Sequence, residues 1–301
     1  MSEQSLLPIT TIAGYLGAGK TTLVNHMLRN ANGLRLAILV NEFGELPIDE
    51  DLIEAEADDI IALAGGCVCC SYGNDLTLAL LDMLDMNPRP DHVIIEASGV
   101  AIPSAITASV TLLPGYRSDG IVILADAETV QKNATDKYVG DTVCRQLSDA
   151  NIILLNKIDL VDANQTELLT AWLRQQNQNA AIVPVTKSVI DPATVLESHL
   201  DQISQEGTHH RAEAFDMHLL KPETALDAEK LAFEIANGNH GVIRAKGFVL
   251  QGEETKLIQI VGQRYEVTSH TGTFRSGIVC LGLKERLDKV ALTRLINECN
   301  V

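Results

Sequence analysis

The sequence predicts an α/β domain with a mostly parallel sheet, followed by a smaller α+β domain. Three observations lead there. Over the first two thirds of the 301 residues, short runs rich in Ile, Val and Leu alternate with longer stretches of helical spacing, the signature of βαβ architecture. The short runs read as apolar throughout, as strands covered on both faces must be. After a polar stretch at 202–213, QISQEGTHHRAE, the pattern changes to strands joined by short turns.

In chain order, the expected strands are PITTIAG (8–14), LRLAILVN (34–41), DDIIALA (58–64), DHVIIEA (91–97), GIVILADA (120–127), NIILLNK (151–157) and AAIVPVT (180–186). Helices are expected between them at KTTLVNHMLRN (20–30), NDLTLALLDML (74–84), TVCRQLSDA (142–150) and QTELLTAWLRQQ (165–176). The first domain is expected over 1–205 and the second over 214–301, with the linker at about 206–213 around Gly207. In the second domain, 241–252, 255–262, 263–270 and 277–283 read as strands, and 226–238 and 284–299 as helices.

Composition narrows the function classes. Lys plus Arg number 23 and Asp plus Glu 40, a net charge of −17. That charge opposes binding to nucleic acid and to anionic lipid. No apolar run reaches membrane-spanning length, and the N-terminus lacks the basic start and cleavage pattern of a secretory leader. A soluble, cytoplasmic protein with reduced thiols is the expectation.

GYLGAGKTT at 14–22 satisfies G-x-x-x-x-G-K-[ST] after an expected strand and at the start of an expected helix, which is the context of a P-loop. Gly14, Gly17, Ala18 and Gly19 would bring backbone N–H groups to phosphate oxygens, and the helix N-terminus adds favourable dipole potential. Lys20 would reach the β- and γ-phosphates, the Thr21 hydroxyl would ligate Mg²⁺, and Thr22 completes the nucleotide contacts. NKID at 156–159 follows a later strand. There Asp159 would accept both N1–H and the exocyclic amine of guanine, donors that adenine does not pair in this way (cf.). Asn156 would brace the loop, and the Lys157 stem would pack on the base. EASG at 96–99 ends another strand; Glu96 would hold Mg²⁺ through water and the Gly99 N–H would meet the γ-phosphate. In the acidic segment NEFGELPIDED at 41–51, either Glu42 or Asp49 would orient the attacking water or bind a second metal; a merely solvated loop is the competing reading.

GGCVCC at 65–70 places Cys67, Cys69 and Cys70 within four positions, half of the six cysteines. Thiolates suit Zn²⁺, Cu⁺, Co²⁺ or Ni²⁺, and Gly65 and Gly66 permit the chain to bend them together. Glu42, a histidine, water or a partner's thiol would supply a fourth ligand. Chance clustering of buried thiols and a redox pair are the alternatives, the latter disfavoured between adjacent Cys69 and Cys70 by the strained ring they would form. Cys144, Cys280 and Cys299 are isolated and read as small core residues. His209 and His210 fall in the linker, and His218, His240 and His270 in the second domain; each reads as polar or structural before it reads as a ligand. All five motifs follow expected strands, so a parallel sheet would gather them on one rim. The thiols would then neighbour the terminal phosphate, which could gate them.

On these residues the chain resembles the CobW-like family of metal-handling P-loop GTPases. The likeness runs through GYLGAGKTTLVNHML, NEFGELPIDEDLI, GGCVCC, EASGVAIPSAI, SDANIILLNKIDLV and VIRAKGFV, nearly the whole chain. Gly65 stands where the family often has Asn, Pro47 where it often has Gly, and the histidine-rich stretch of many members is missing. The resemblance implies a P-loop GTPase domain with a small C-terminal domain and slow hydrolysis of GTP. It implies a metal, Zn²⁺ or Co²⁺, bound at the C-x-C-C motif of Cys67, Cys69 and Cys70 and delivered to a client metalloprotein. No arginine finger is evident, so metal, homodimerisation or the client would complete the site. Two rivals stand beside this expectation. One is a regulatory GTP switch that recruits a protein partner without a transition metal. The other is a small-molecule P-loop kinase, which NKID disfavours.

Overall fold

The computed structural model describes residues 6–41, 60–65, 75–197, 215–271, 274 and 276–300, with the side chains of residue 41, of 60–65 and of 75–76 left aside. By internal contacts the chain divides into two compact units, Met1–Ser198 and His199–Val301.

The first unit carries a seven-stranded sheet in the order β3-β2-β4-β1-β5-β6-β7. Its strands are β1 (Leu7–Ala13), β2 (Leu36–Asn41), β3 (Ile60–Gly65), β4 (His92–Glu96), β5 (Tyr116–Asp126), β6 (Ile152–Asn156) and β7 (Ala181–Pro184). Every adjacent pair runs parallel. Each of the central strands β1, β4 and β6 is buried at every position, which is why the sequence shows no alternation there. The helices are α1 (Lys20–Arg29), α2 (Asp75–Asp85), α3 (Pro103–Thr111), α4 (Val130–Ala134), α5 (Gly140–Asp149), α6 (Ala163–Gln176) and α7 (Pro192–Val195). Leu80 and Met83 of α2, Ile106 and Val110 of α3, Val143 and Leu147 of α5, and Leu169 and Leu173 of α6 share one core with the alternate sheet residues Ile9, Val93, Ile123 and Ile153. Helix α1 buries its own apolar stripe, Leu23, Val24, Met27 and Leu28.

Besides the short helices α4 and α7, which no expected segment covers, three elements differ from the sequence expectation. Strand β5 begins at Tyr116, four residues before its apolar run at 120–127. Tyr116 is buried there and donates to the Leu80 carbonyl, and burial pushes its hydroxyl up to about 12 against the opposing pull of Arg89. Asp119 is buried because it accepts from Thr10 at 2.9 Å and from the Glu197 N–H at 3.0 Å. Tertiary partners thus extend the strand through polar residues. Helix α3 was not expected, since PSAITASVT is rich in β-branched and hydroxyl residues. Pro103 at its first turn favours helix entry, and burial of Ile106 and Val110 stabilises the rest. Strand β8 (Phe215–Leu220) in the second unit was also missed.

The second unit is a five-stranded sheet in the order β11-β10-β9-β12-β8, with β9 (Val242–Gln251), β10 (Glu254–Val261), β11 (Arg264–His270) and β12 (Gly277–Leu283). All its pairings are antiparallel. Helices α8 (Ala228–Asn237) and α9 (Lys289–Glu298) bury Leu231, Ile235, Leu292 and Leu295 against Ala245, Val249, Ile258 and Ile278. Cys280 and Cys299 lie in this core. Burial pushes the Cys280 thiol up to about 12, so it is an inert core residue. Among the described residues, no helix is long and apolar enough to cross a membrane. Glu42, Asp49, Cys67, Cys69, Cys70, and the linker at 206–213 with His209 and His210 lie outside the described residues.

Candidate nucleotide site

The parallel sheet brings the C-terminal ends of β1, β4, β5 and β6 side by side. Ile12 pairs with Glu96 and Val122, and Asp126 pairs with Asn156. The P-loop, EASG and NKID therefore open from one rim.

Between β1 and α1 the chain turns through Gly14, Gly17 and Gly19 at φ values of 140°, 76° and 103°, a region that L side chains rarely enter. Space is short as well. A Cβ on Gly14 would stand 2.4 Å from the Leu124 carbonyl oxygen, and one on Gly19 2.5 Å from Asn156 Nδ2. Gly19 caps α1 with no side chain bonded to the helix N-terminus and no acid in the first turn. That end therefore keeps its positive potential for an anion. Lys20 Nζ donates to the Gly14 carbonyl at 3.2 Å, which folds the ammonium back over the loop. Ala18 is buried and Thr22 exposed.

Thr21 Oγ1 donates to Glu96 Oε1 at 2.9 Å. Glu96 is buried at 3% exposure and Thr21 half-buried. A hydroxyl beside a buried carboxylate at a P-loop is an all-oxygen donor set, the chemistry Mg²⁺ selects. Past Glu96, Gly99 is packed against Leu16, whose Cδ2 and backbone N lie 2.5 and 3.0 Å from where a Cβ would stand. The buried Gln146 amide on α5 donates to the carbonyls of Gly99 and Ala101 at 3.1 and 2.9 Å and pins the loop.

Asn156 joins three segments. Its Nδ2 donates to the Ala18 carbonyl and to Ser188 Oγ, each at 2.9 Å, and its Oδ1 accepts the Ser188 N–H at 2.9 Å. Ser188 Oγ in turn donates to the Gly19 carbonyl at 3.1 Å. Lys157 follows with φ 62° and leads into a 3₁₀ turn, Ile158–Leu160, that holds the exposed Asp159. The Lys157 ammonium meets Asp126 Oδ2 at 2.7 Å.

Asp126, Gln146 and Ser188 did not emerge from the sequence. Asp126 had a signal, an acid at the end of a buried strand, as with Glu96. Ser188 follows the last strand, and Lys187 and Ser188 both sit at positive φ, 51° and 56°, which a sequence does not disclose. Among the described residues, no group of three or more His, Cys, Asp or Glu side chains is placed to hold a metal ion. His218 bonds Thr293 instead.

The family model for the CobW/HypB/UreG nucleotide-binding domain matches residues 8–184. A protein of Sinorhizobium sp. named zinc chaperone CobW is 31% identical over 88% of this chain and 88% of its own. The Escherichia coli zinc chaperone YjiA is 36% identical over 62% of this chain, which spans 59% of that relative. The crystal structure of Zn(II)-bound YjiA GTPase from E. coli superposes with a TM-score of 0.50 at 21% identity, covering 99% of this chain and all of that one, a likeness of fold.

Proposed function

The chain belongs to the CobW/HypB/UreG family and is a GTPase, and from that premise we propose that it is a metal chaperone that carries zinc, or alternatively cobalt, under the control of GTP. Cys67, Cys69 and Cys70 would hold the metal, with Glu42 as a further ligand, and a client metalloprotein would receive it. The observation that carries the nucleotide half is the Thr21–Glu96 hydrogen bond of 2.9 Å beside an uncapped helix N-terminus. The names of the relatives support zinc.

In this reading the amides of Gly17, Ala18 and Gly19 and the Lys20 ammonium bind the phosphates. Thr21, and Glu96 through water, would hold Mg²⁺, which when bound neutralises charge on the phosphoryl oxygens. Lys20 leaves its Gly14 carbonyl to stabilise the charge that builds between the β- and γ-phosphates. Asp159 selects guanine, and Glu42 or Asp49 orients water. Gly65, the last residue of β3, pairs with Asn41 two strands away from the β4 end at Glu96. That separation is about 10 Å at the usual strand spacing, so the cysteine segment starts on the phosphate rim. This proximity supports a γ-phosphate gate on the metal site.

Equilibrium dialysis with Zn²⁺ and Co²⁺, with GTP or GDP present, tests the reading on the wild type and on a variant with Cys67, Cys69 and Cys70 all changed to Ser. The variant is expected to lose tight zinc binding and keep its GTP affinity. Equal stoichiometry and affinity in both proteins would remove the metal role.

A further inference from the structure

We propose that Asp126 is a positioning residue for nucleotide recognition, holding the Lys157 ammonium so that the lysine's methylene stem stands as one wall of the base site. The inference rests on the reading of NKID as the guanine loop and extends it to a residue outside that motif.

The geometry is specific. Asp126 ends β5 directly beside Asn156 in the parallel register. Its two oxygens have separate tasks. Oδ1 accepts the Glu128 N–H at 2.9 Å and shapes the turn into α4. Oδ2 accepts the Lys157 ammonium at 2.7 Å. The carboxylate side chain is 11% exposed and the lysine side chain 32%, so the ammonium meets a largely buried carboxylate while about a third of the lysine side chain remains accessible.

The backbone agrees with this division. Lys157 sits at φ 62°, uncommon for a residue with a Cβ, and caps the turn that carries Asp159. Its side chain ends on β5 while the chain continues into the turn. Asn156, one residue earlier, is tied to Ala18 and Ser188. The loop is thus anchored twice, once to the P-loop and once to β5. Lysine has four freely turning side-chain bonds, and a base that stacks on a loose stem must order it. Asp126 orders the stem before the nucleotide arrives, so the ligand binds a prepared surface.

The test is a set of dissociation constants for GTP, ITP and ATP, measured on the wild type, Asp126→Asn, Lys157→Met and the double variant. Asparagine keeps an oxygen for the Glu128 N–H but faces the ammonium with an NH₂ group. Methionine keeps an apolar stem and removes the charge. The wild type is expected to prefer GTP to ATP by on the order of 100-fold or more. Asp126→Asn should weaken GTP and ITP by the same factor, about fivefold, the scale of ordering one long side chain. The double variant should bind no more weakly than Lys157→Met alone. ITP lacks the exocyclic amine that Asp159 would accept, so a preserved GTP-to-ITP ratio separates a stacking wall from a collapsed loop. Unchanged affinity in Asp126→Asn, additive losses in the double variant, or a lost GTP-to-ITP preference would each overturn the role of Asp126 and leave the guanine reading standing. A wild type that binds GTP and ATP alike would overturn both.

Discussion

Replacing Asn156 with alanine should loosen the first unit by about 3 kcal/mol, because the side chain satisfies buried groups on two other segments. Its amide serves the Ala18 carbonyl and Ser188 Oγ, and its oxygen serves the Ser188 N–H. Asn156 and Ala18 are 2% exposed and Ser188 fully buried. Truncation strands two main-chain groups, at about 1–3 kcal/mol each, and a water entering the vacated space recovers part of that. The Ser188 hydroxyl keeps its bond to Gly19, so it adds little. Trp172, the only tryptophan, packs against the first-unit core and reports on that unit by fluorescence. In urea, with a slope of about 2 kcal/mol per molar, the midpoint should fall by about 1.5 M. Ser188→Ala should cost less than half as much, since the main-chain bond to Asn156 survives. A midpoint shift below about 0.4 M for Asn156→Ala, or a larger shift for Ser188→Ala, would refute the reasoning.

Gly99→Ala should slow GTP turnover about tenfold, since the new methyl would collide with Leu16 and displace the loop after Glu96. Leu16→Ala in the same chain should restore part of the rate in a phosphate-release assay, because Leu16 is exposed and its side chain makes the closest contacts. An unrestored rate would locate the clash in the backbone. Burial, then the neighbouring Lys289, holds the His218 ring below its usual 6.5, against the opposing pull of Asp216. The unfolded chain therefore takes up the proton first as pH falls, so stability of the second unit declines from about pH 6.5 through the lower folded-state value. An NMR titration of the His218 ring should find its midpoint below 6.5, and His218→Gln should flatten the acid-side loss of melting temperature.

Strand β4 and helix α6 were legible because burial on both faces demands unbroken apolar runs, and a single apolar stripe demands helical spacing. Helix α3 was not: Pro103 favours a helix start, but the Ser, Thr, Ile and Val residues that follow are weak helix formers, and packing against the sheet stabilises the helix. The N-terminal part of β5 was hidden for a similar reason, since Asp119 is polar in sequence and buried only because Thr10 and the Glu197 N–H meet it.

Local chemistry was written in the chain. The glycines of the P-loop, the Lys–Thr pair that opens α1, and the carboxylate ending β4 each follow from short-range constraints on backbone conformation and strand termination. Long-range pairing was not. That Asn156 holds Ala18 across 138 positions, that Ser188 completes the knot, and that Asp126 captures Lys157 depend on which strand ends become neighbours. A parallel sheet settles those neighbours through its strand order, and strand order is a property of the packed whole that no window of sequence contains.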